Sequence, residues 1–226
     1  MADKVYRNVG ELFEEERFSQ ISEYQEWKSD QIEEDRRKLE ELLEKRETQI
    51  EEGLAEMETR YFWVSYVLRA LGYAYSVAEM TPEATEADEP RPDFVLFESA
   101  QDFNAALPYR GEREFFVHAL SIMRGLAWDA SLDEIQEEEG VMNPAFEIDR
   151  FIRATGVEWG ILTNGRKWRL FHRDTVGLMD TFYEVDLIAA LESGDTEAFK
   201  YFWMVFSPQA LAGHGEVEPI VRRMLH

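Results

Sequence analysis

The feature that most constrains the fold is an apolar repeat with a step of eleven residues in the first third of the chain. Its two series are Ile21, Ile32, Leu43 and Leu54, and Leu39, Ile50 and Tyr61. Because eleven residues complete about three helical turns, both series lie on one face of a nearly straight α-helix. The pattern predicts an unbroken helix from Asp30 to Leu71, roughly 60 Å long at about 1.5 Å per residue.

Such a helix needs a partner for its apolar face, since its other faces are rich in glutamate, lysine and arginine. One prediction is an antiparallel partner within the chain, in the segment 11–27. The alternative is a homodimer that forms through the same face. In both cases residues 1–60 would form a helical, coiled-coil-like arm that runs into the body of the protein.

From Tyr73 onward the period of the apolar residues changes from that of one long helix to that of strands and short helices. Strands are predicted at 73–78, 93–97, 120–123, 159–163, 167–173 and 181–185, and helices at 99–106, 112–119, 144–154, 195–206 and 219–225. The dipeptide Asn164-Gly165 predicts a tight hairpin turn between two of these strands. This mixture predicts an α/β fold with a mixed sheet flanked by helices.

The composition is that of a folded and strongly acidic chain. Of its 226 residues 45% are hydrophobic, which is enough for a sizeable core. It has no cysteine, so disulfides, thiolate zinc sites and cysteine nucleophiles are excluded. No apolar run approaches twenty residues and the charged start is unlike a signal peptide, so we expect a cytoplasmic protein without a membrane partner.

The net charge bears on possible partners. A charge of −23 repels a phosphate backbone at long range, so nonspecific affinity for DNA should be weak. Only six of the 24 basic residues are lysine, and an acidic surface that prefers arginine suits a salt-rich cytoplasm, which predicts a halophilic host. An inhibitor that mimics DNA is the alternative explanation of the charge.

Five sequence blocks in a fixed order resemble one protein family. They are Leu71-Gly72-Tyr73, Arg91 to Phe97, Trp128 to Asp133, Trp159 to Arg166 with Trp168 to Phe171, and Phe182 to Leu187. Together they resemble the N-terminal PD-(D/E)xK nuclease domain of type IIG restriction-modification enzymes. The resemblance implies a restriction-endonuclease-like domain over residues 61–210, preceded by the arm and followed by a C-terminal tail with a short helix over 211–226.

The catalytic motif of that family is only partly present. In the family an aspartate opens the second strand, and a Glu-x-Lys element ends the third; carboxylates of this kind hold Mg²⁺ beside the scissile phosphate. Asp93 matches the aspartate, but Arg124 stands at the glutamate position and Leu126 at the lysine position. Glu147 stands where the family often has a glutamine. The resemblance therefore implies a vestigial site made of these four residues, with no metal ligands and no confident catalytic residue.

Arg124 in this site has two alternative roles. An arginine in place of a carboxylate changes the local charge by two units, and each unit pair at about 4 Å is worth roughly 4 kcal/mol. We therefore expect metal binding to be lost. Arg124 would then pair with Asp93, or it would contact a phosphate.

The densest cluster of basic residues is Arg166, Lys167, Arg169 and Arg173. Alternation along a strand places Lys167, Arg169 and Arg173 on one face, together with Phe171. Cations beside an aromatic ring suit a nucleic-acid backbone. The candidate nucleic-acid-binding residues are therefore the four basic ones, Arg166, Lys167, Arg169 and Arg173. The alternative is that each of them pairs with a neighbouring acid.

These observations favour a catalytically inactive nuclease-like domain related to restriction-modification or phage defence, which acts as a binding or scaffold module and uses no cofactor. Its partner would be DNA, or a methyltransferase, specificity or other defence subunit. One alternative is an active, divergent endonuclease in which a migrated acid restores Mg²⁺ binding. Another is an acidic interaction protein, antitoxin-like or anti-restriction, that binds its partner through the arm.

Overall fold

A seven-stranded mixed sheet flanked by helices forms the centre of the fold, in a computed structural model that describes residues 5–82, 84, 89–137, 140–213, 215 and 217–225. The strands are β1 (Tyr6–Val9), β2 (Ala74–Val77), β3 (Phe94–Phe97), β4 (Ser121–Gly125), β5 (Ile135–Glu137), β6 (Gly140–Met142), β7 (Trp159–Thr163), β8 (Lys167–His172) and β9 (Phe182–Asp186). The sheet has the order β1-β9-β8-β7-β4-β3-β2, while β5 and β6 form a separate hairpin. Strands β4 and β7 are parallel, and the other neighbours in the sheet are antiparallel. The predicted α/β class with a mixed sheet is confirmed.

Helices lie on both faces of this sheet. They are α1 (Glu15–Ser19), α2 (Asp30–Glu51), α3 (Glu56–Glu58), α4 (Ser65–Ala70), α5 (Ala100–Ala106), α6 (Ala145–Thr155), α7 (Leu187–Glu192), α8 (Thr196–Phe206), α9 (Pro208–Ala212) and α10 (Ile220–Arg223). A π-helix at Thr59–Val64 joins α3 to α4. Short 3-10 helices occupy Ile21–Glu23, Gln25–Lys28, Leu107–Tyr109, Arg113–Phe116 and Val176–Leu178. In the part of the chain described here, no helix has the length and apolar character needed to cross a bilayer.

Strand residues alternate between two apolar layers, one on each face of the sheet. Phe94 and Leu96 of β3 pack in the layer that contains α2, α4 and α8, whereas Val95 and Phe97 pack in the layer that contains α6. All four side chains are fully buried. Because both faces are covered, these strands appear in the sequence as continuous apolar runs rather than as an alternating pattern.

The unbroken helix predicted from Asp30 to Leu71 is wrong. Helix α2 ends at Glu51, and its 22 residues span about 33 Å. Gly53 then adopts a positive φ of 83°, which turns the chain out of the helix. Leu54 lies beyond this turn and matches the apolar repeat only because its side chain is buried. Its backbone carbonyl accepts a hydrogen bond of 3.0 Å from the backbone N–H of Trp128. A long helical arm is therefore absent from the described part of residues 1–60.

The apolar face of α2 is covered within the chain, but not mainly by the predicted segment 11–27. Ile32 and Leu39 are buried in the layer formed with α4, α7 and α8. Asp35 on the same face is 1% exposed and accepts a 3.0 Å hydrogen bond from Trp203 Nε1 of α8. A homodimer would therefore have to use other residues of this helix.

The strands and helices predicted beyond Tyr73 are present, apart from small differences at their ends and a 3-10 helix within 112–119. Gly165 in the predicted hairpin turn has φ +84°, as such a turn requires. The sequence did not reveal β1, which adds a seventh strand by pairing with β9, so Tyr6 lies opposite Val185. Residues on both sides of the predicted domain boundary at 60 share one apolar layer.

The last helix, α10, is attached to the sheet by an ion pair at the start of β7. Arg222 Nε donates to Glu158 Oε1 at 2.9 Å, and the same carboxylate lies 3.4 Å from His172 Nε2. Burial alone raises the pKa of Glu158, but the hydrogen bonds from His172 and Arg222 outweigh it and lower the pKa to about 2. The centres of the His172 and Trp159 rings lie 4.7 Å apart, so His172 is packed against the side of β7.

Candidate functional site: a cleft closed by ion pairs

Three of the four residues of the predicted vestigial site lie together in one cleft of about 360 Å³, where β3 begins and the antiparallel β4 ends. Asp93 directly precedes β3, and the antiparallel register that sets Phe94 opposite Met123 brings it beside Arg124 of β4. Glu147 reaches the cleft from the first turn of α6. This helix packs closely on β7, since a Cβ added at Gly160 would lie 2.4 Å from Ile148.

Arg124 occupies the middle of the cleft and binds three carboxylates. Its Nε donates to Glu147 Oε2 at 2.7 Å, and its Nη1 donates to Glu56 Oε1 at 2.9 Å and to Asp93 Oδ2 at 3.1 Å. Its side chain is 15% exposed, so these contacts are largely shielded from water. The pairing of Arg124 with Asp93 is the first of the two roles that the sequence left open.

A second arginine, which the sequence did not indicate, completes the network. Arg60 of the π-helix lies 2.8 Å from Asp93 Oδ1 through Nη1, and it donates through Nε to the Gly125 carbonyl at 2.9 Å. Its other terminal nitrogen forms an ion pair with Glu56. The spacing of four residues between Glu56 and Arg60 on a helix was the available signal. On one unbroken helix this pair would belong to the charged outer surface, and it enters the cleft because α2 ends at Glu51.

The pKa of Asp93 results from opposing interactions in the cleft. Burial is the main cause that raises its pKa, the hydrogen bond from the Gly125 N–H at 2.7 Å lowers it, and the neighbouring Glu56 and Glu147 raise it again, which brings the pKa to about 8. The two guanidinium groups favour the charged form of this carboxyl group, as any nearby cation does. Asp93 therefore changes its protonation near neutral pH, and its arginine partners favour the ionised form.

Leu126, the fourth residue of the predicted site, does not line the cleft. It is 3% exposed and belongs to the apolar layer on the α6 side of the sheet. The position at which the family has its lysine is thus filled by a core residue. No cation is available there to approach a phosphate.

The cleft is poorly suited to a metal ion. Among the residues that the structure describes, no group of three or more histidine, aspartate or glutamate side chains is arranged to hold one. Glu56, Asp93 and Glu147 are directed at the two guanidinium groups instead. Magnesium needs oxygen ligands in near-octahedral geometry, and an arginine in their midst adds repulsion. These residues therefore do not fit Mg²⁺.

Three members of the predicted nucleic-acid-binding cluster are paired with acids. Arg166 Nε donates to Asp186 at 2.9 Å, and Arg173 lies 3.9 Å from Asp174. The prediction of an accessible strand face is wrong for Arg169, whose side chain is 3% exposed. Its Nε donates to Glu184 at 2.5 Å, and its guanidinium lies 4.1 Å from the centre of the Phe182 ring. Arg169 thus has a structural role, Arg166 and Arg173 form pairs with acids at the surface, and Lys167 alone has no such partner among the described residues.

Comparison of the chain with protein-family models, curated proteins and solved structures gives no match. The resemblance to type IIG nuclease domains therefore stays a prediction.

Proposed function

We propose that the chain is a catalytically inactive, nuclease-like domain related to restriction-modification or phage defence, and that it acts as a binding or scaffold module. The observation that carries this proposal is the position of Arg124, which fills the space between Asp93 and Glu147 and neutralises them. A magnesium ion in an active enzyme would have to compete with this internal cation. The fold is kept while the catalytic set is replaced, which supports a role in binding.

The order of the elements supports the restriction-endonuclease-like part of the proposal. Helix α4 is followed by the antiparallel strands β2, β3 and β4, with α5 between β3 and β4, and then, beyond the β5–β6 hairpin, by α6 and by β7 parallel to β4. Apart from α5 and this hairpin, the order is helix, three strands, helix and strand, which resembles the core of PD-(D/E)xK nucleases. Asp93 lies at the start of the second of these strands. The family assignment is proposed on this order together with the five sequence blocks.

The charge of the cleft supports binding of a partner elsewhere rather than binding of a phosphate in the cleft. Its network holds three carboxylates and two guanidinium groups. A phosphate would enter a site in which Arg124 already donates to three acids, and two further glutamates would repel it. We propose that a defence subunit, such as a methyltransferase or specificity subunit, or DNA itself, contacts the surface outside the cleft.

The proposal is tested by titrating the protein with Mg²⁺ and Mn²⁺ in a calorimeter, with supercoiled plasmid incubated in parallel. We expect neither metal binding nor nicking by the natural chain. The double variant Arg124→Glu with Leu126→Lys restores the family's charges and should gain metal binding. The single variant Arg124→Glu serves if lysine at the buried position 126 prevents folding. Arg37→Glu, at an exposed position on α2, is the matched control for the added acid and should gain nothing.

Two results would overturn the proposal. One is metal binding and nicking by the natural chain that Asp93→Ala abolishes, because the site would then be an active, divergent nuclease. The other is failure of both Arg124 variants to bind metal although they fold, because Arg124 would then not stand in the place of a metal ligand. Salt-dependent retardation of duplex DNA separates a DNA-binding module from one that binds only a protein.

A further inference from the structure

A groove of about 640 Å³ between α2 and α4 differs from the rest of this acidic surface. Its lining residues include Lys38, Glu41, Lys45, Arg46, Tyr66 and Arg69. Four of these side chains are cations and one is an acid, in a chain whose net charge is −23. We call this surface, together with the adjoining Phe62 ring, the aromatic–arginine groove.

Two arginines in the groove contact aromatic rings instead of acids. The Arg46 guanidinium carbon lies 5.8 Å from the centre of the Phe62 ring and 5.4 Å from that of Tyr66. The Arg69 guanidinium carbon lies 5.4 Å from Tyr66 and 6.0 Å from Tyr75. Neither arginine forms an ion pair with any residue that the structure describes. Where acids outnumber bases two to one, unpaired arginines leave charge available for an external anion.

The rings of the groove are exposed to solvent. Phe62 is 45% exposed and Tyr66 is 40% exposed, although most aromatic side chains of this chain are buried in the two apolar layers. The π-helix at 59–64 adds one residue to a turn, which directs Trp63 and Val64 inward and leaves Phe62 outward. Exposed rings beside unpaired guanidinium groups indicate a recognition surface rather than a packing feature.

We propose that the aromatic–arginine groove binds single-stranded nucleic acid. Unstacked bases have flat faces that fit aromatic rings and guanidinium planes, and each stacked base contributes to affinity regardless of sequence. The phosphates between the bases meet Arg46 and Arg69, with Lys38 and Lys45 at the margin. An acidic peptide would match the charge of the groove but would leave its rings without a stacking partner.

The proposal does not rest on the inactive cleft. The groove is built from α2, the π-helix and α4, whereas Arg124 and Glu147 come from β4 and α6. A nuclease that proved active would leave it intact. The overall charge of −23 repels any nucleic acid at long range, so binding depends on these local contacts and weakens steeply with salt.

The test uses fluorescence anisotropy of a labelled oligodeoxythymidylate of about 12 nucleotides, a length within the usual range for one stacking groove. We expect binding at about 50 mM salt that weakens about 20-fold at about 200 mM, which corresponds to roughly three phosphate contacts. Tyr66→Ala should weaken binding about tenfold through loss of one stacking face, while Tyr66→Phe keeps the ring and should bind like the natural chain. Arg46→Gln should weaken binding and flatten the salt dependence.

Two control variants change matched residues outside the groove. Tyr109→Ala removes a ring that is 46% exposed on a different surface, and Arg153→Gln removes an exposed arginine of α6, which pairs with Asp149 away from the groove. Both should leave the anisotropy curve unchanged. Circular dichroism of every variant checks that the fold is kept.

Three outcomes would refute the proposal. The first is the absence of binding at low salt. The second is binding that Tyr66→Ala and Arg46→Gln leave unchanged, since the oligonucleotide would then lie elsewhere. The third is displacement of the oligonucleotide by polyglutamate at equal charge concentration, which would identify an acidic protein segment as the partner.

Discussion

The Arg124→Met variant examines the ion pairs of the cleft most directly. Methionine keeps much of the aliphatic volume but removes the cation that three carboxylates share. Loss of one partner of a buried ion pair costs about 3–5 kcal/mol, because the remaining charge stays desolvated. Asp93 keeps Arg60 and the Gly125 N–H, so we expect the low end of this range. The free energy of unfolding should fall by about 3 kcal/mol at pH 8.

The loss should depend on pH with a definite sign. Asp93 has a folded-state pKa raised from 3.8 to about 8, and removal of Arg124 raises it further. An acid of this kind binds its proton more tightly in the folded state, so its contribution is stabilising at low pH and is lost as the pH rises toward 8. Below pH 8 both folded chains hold this proton, so the difference between variant and natural chain should not change with pH there; above pH 8 only the variant keeps the proton, and the difference should increase. It should grow by at most about 1.4 kcal/mol per pH unit for one proton.

Urea unfolding, followed by tryptophan fluorescence at pH 6, 7.5 and 9, measures this difference. Arg37→Met is the control, because Arg37 is exposed and forms only a surface pair with Glu41. Its effect should stay within about 0.5 kcal/mol at every pH. A destabilisation by Arg124→Met that is the same at pH 7.5 and pH 9 would contradict the view that Arg124 lowers the pKa of Asp93.

Three further predictions concern other buried polar groups. Arg169→Met should lower the free energy of unfolding by about 3–5 kcal/mol, because Glu184 then stays buried with only the exposed Arg7 as its partner. A loss under about 1 kcal/mol in urea unfolding would be evidence against the buried pair. Asp35→Ala should cost about 2 kcal/mol and change the tryptophan emission, since Trp203 Nε1 loses its acceptor; an unaltered spectrum would count against that contact. Glu158→Gln should cost at most about 3 kcal/mol at pH 7, because the pKa of Glu158 falls from 4.5 to about 2 on folding. That stabilisation is present above pH 4.5 and is lost as the pH falls through about 2. The free energies of unfolding of the variant and the natural chain should therefore converge in acid. A difference between them that stays the same at every pH would rule the ion pair out.

The sequence predicted most of the sheet because buried strands consist of uninterrupted apolar residues. The runs at 94–97 and 159–163 are strands as expected. It failed at β1, where Arg7 and Asn8 interrupt the apolar pattern and the strand covers only four residues. It failed again at Gly53, because Leu54 packs at the position that the helical repeat requires although the helix has already ended. A repeat of apolar residues reports burial, and burial does not require one continuous helix.

The cleft was predictable only in part. The resemblance to the nuclease family placed Asp93 and Arg124 in one site, and the contact of 3.1 Å agrees with one of the two roles considered for Arg124. Arg60 and Glu56 were not predicted, since their place depends on where the chain leaves α2. The burial of Arg169 was missed for a related reason. Its partner Glu184 lies on the neighbouring strand, and strand order cannot be read from one sequence.

The pairing of β1 with β9 has a consequence for how the chain is made. A ribosome releases residues 6–9 about 170 residues before residues 182–185, which are their partners in the sheet. At usual rates of synthesis the strand waits on the order of ten seconds or more without a neighbour. A charged arginine and a polar asparagine in its middle are residues that disfavour association between exposed strands. The same polarity made β1 hard to predict from the sequence and suits a strand that must wait for its partner.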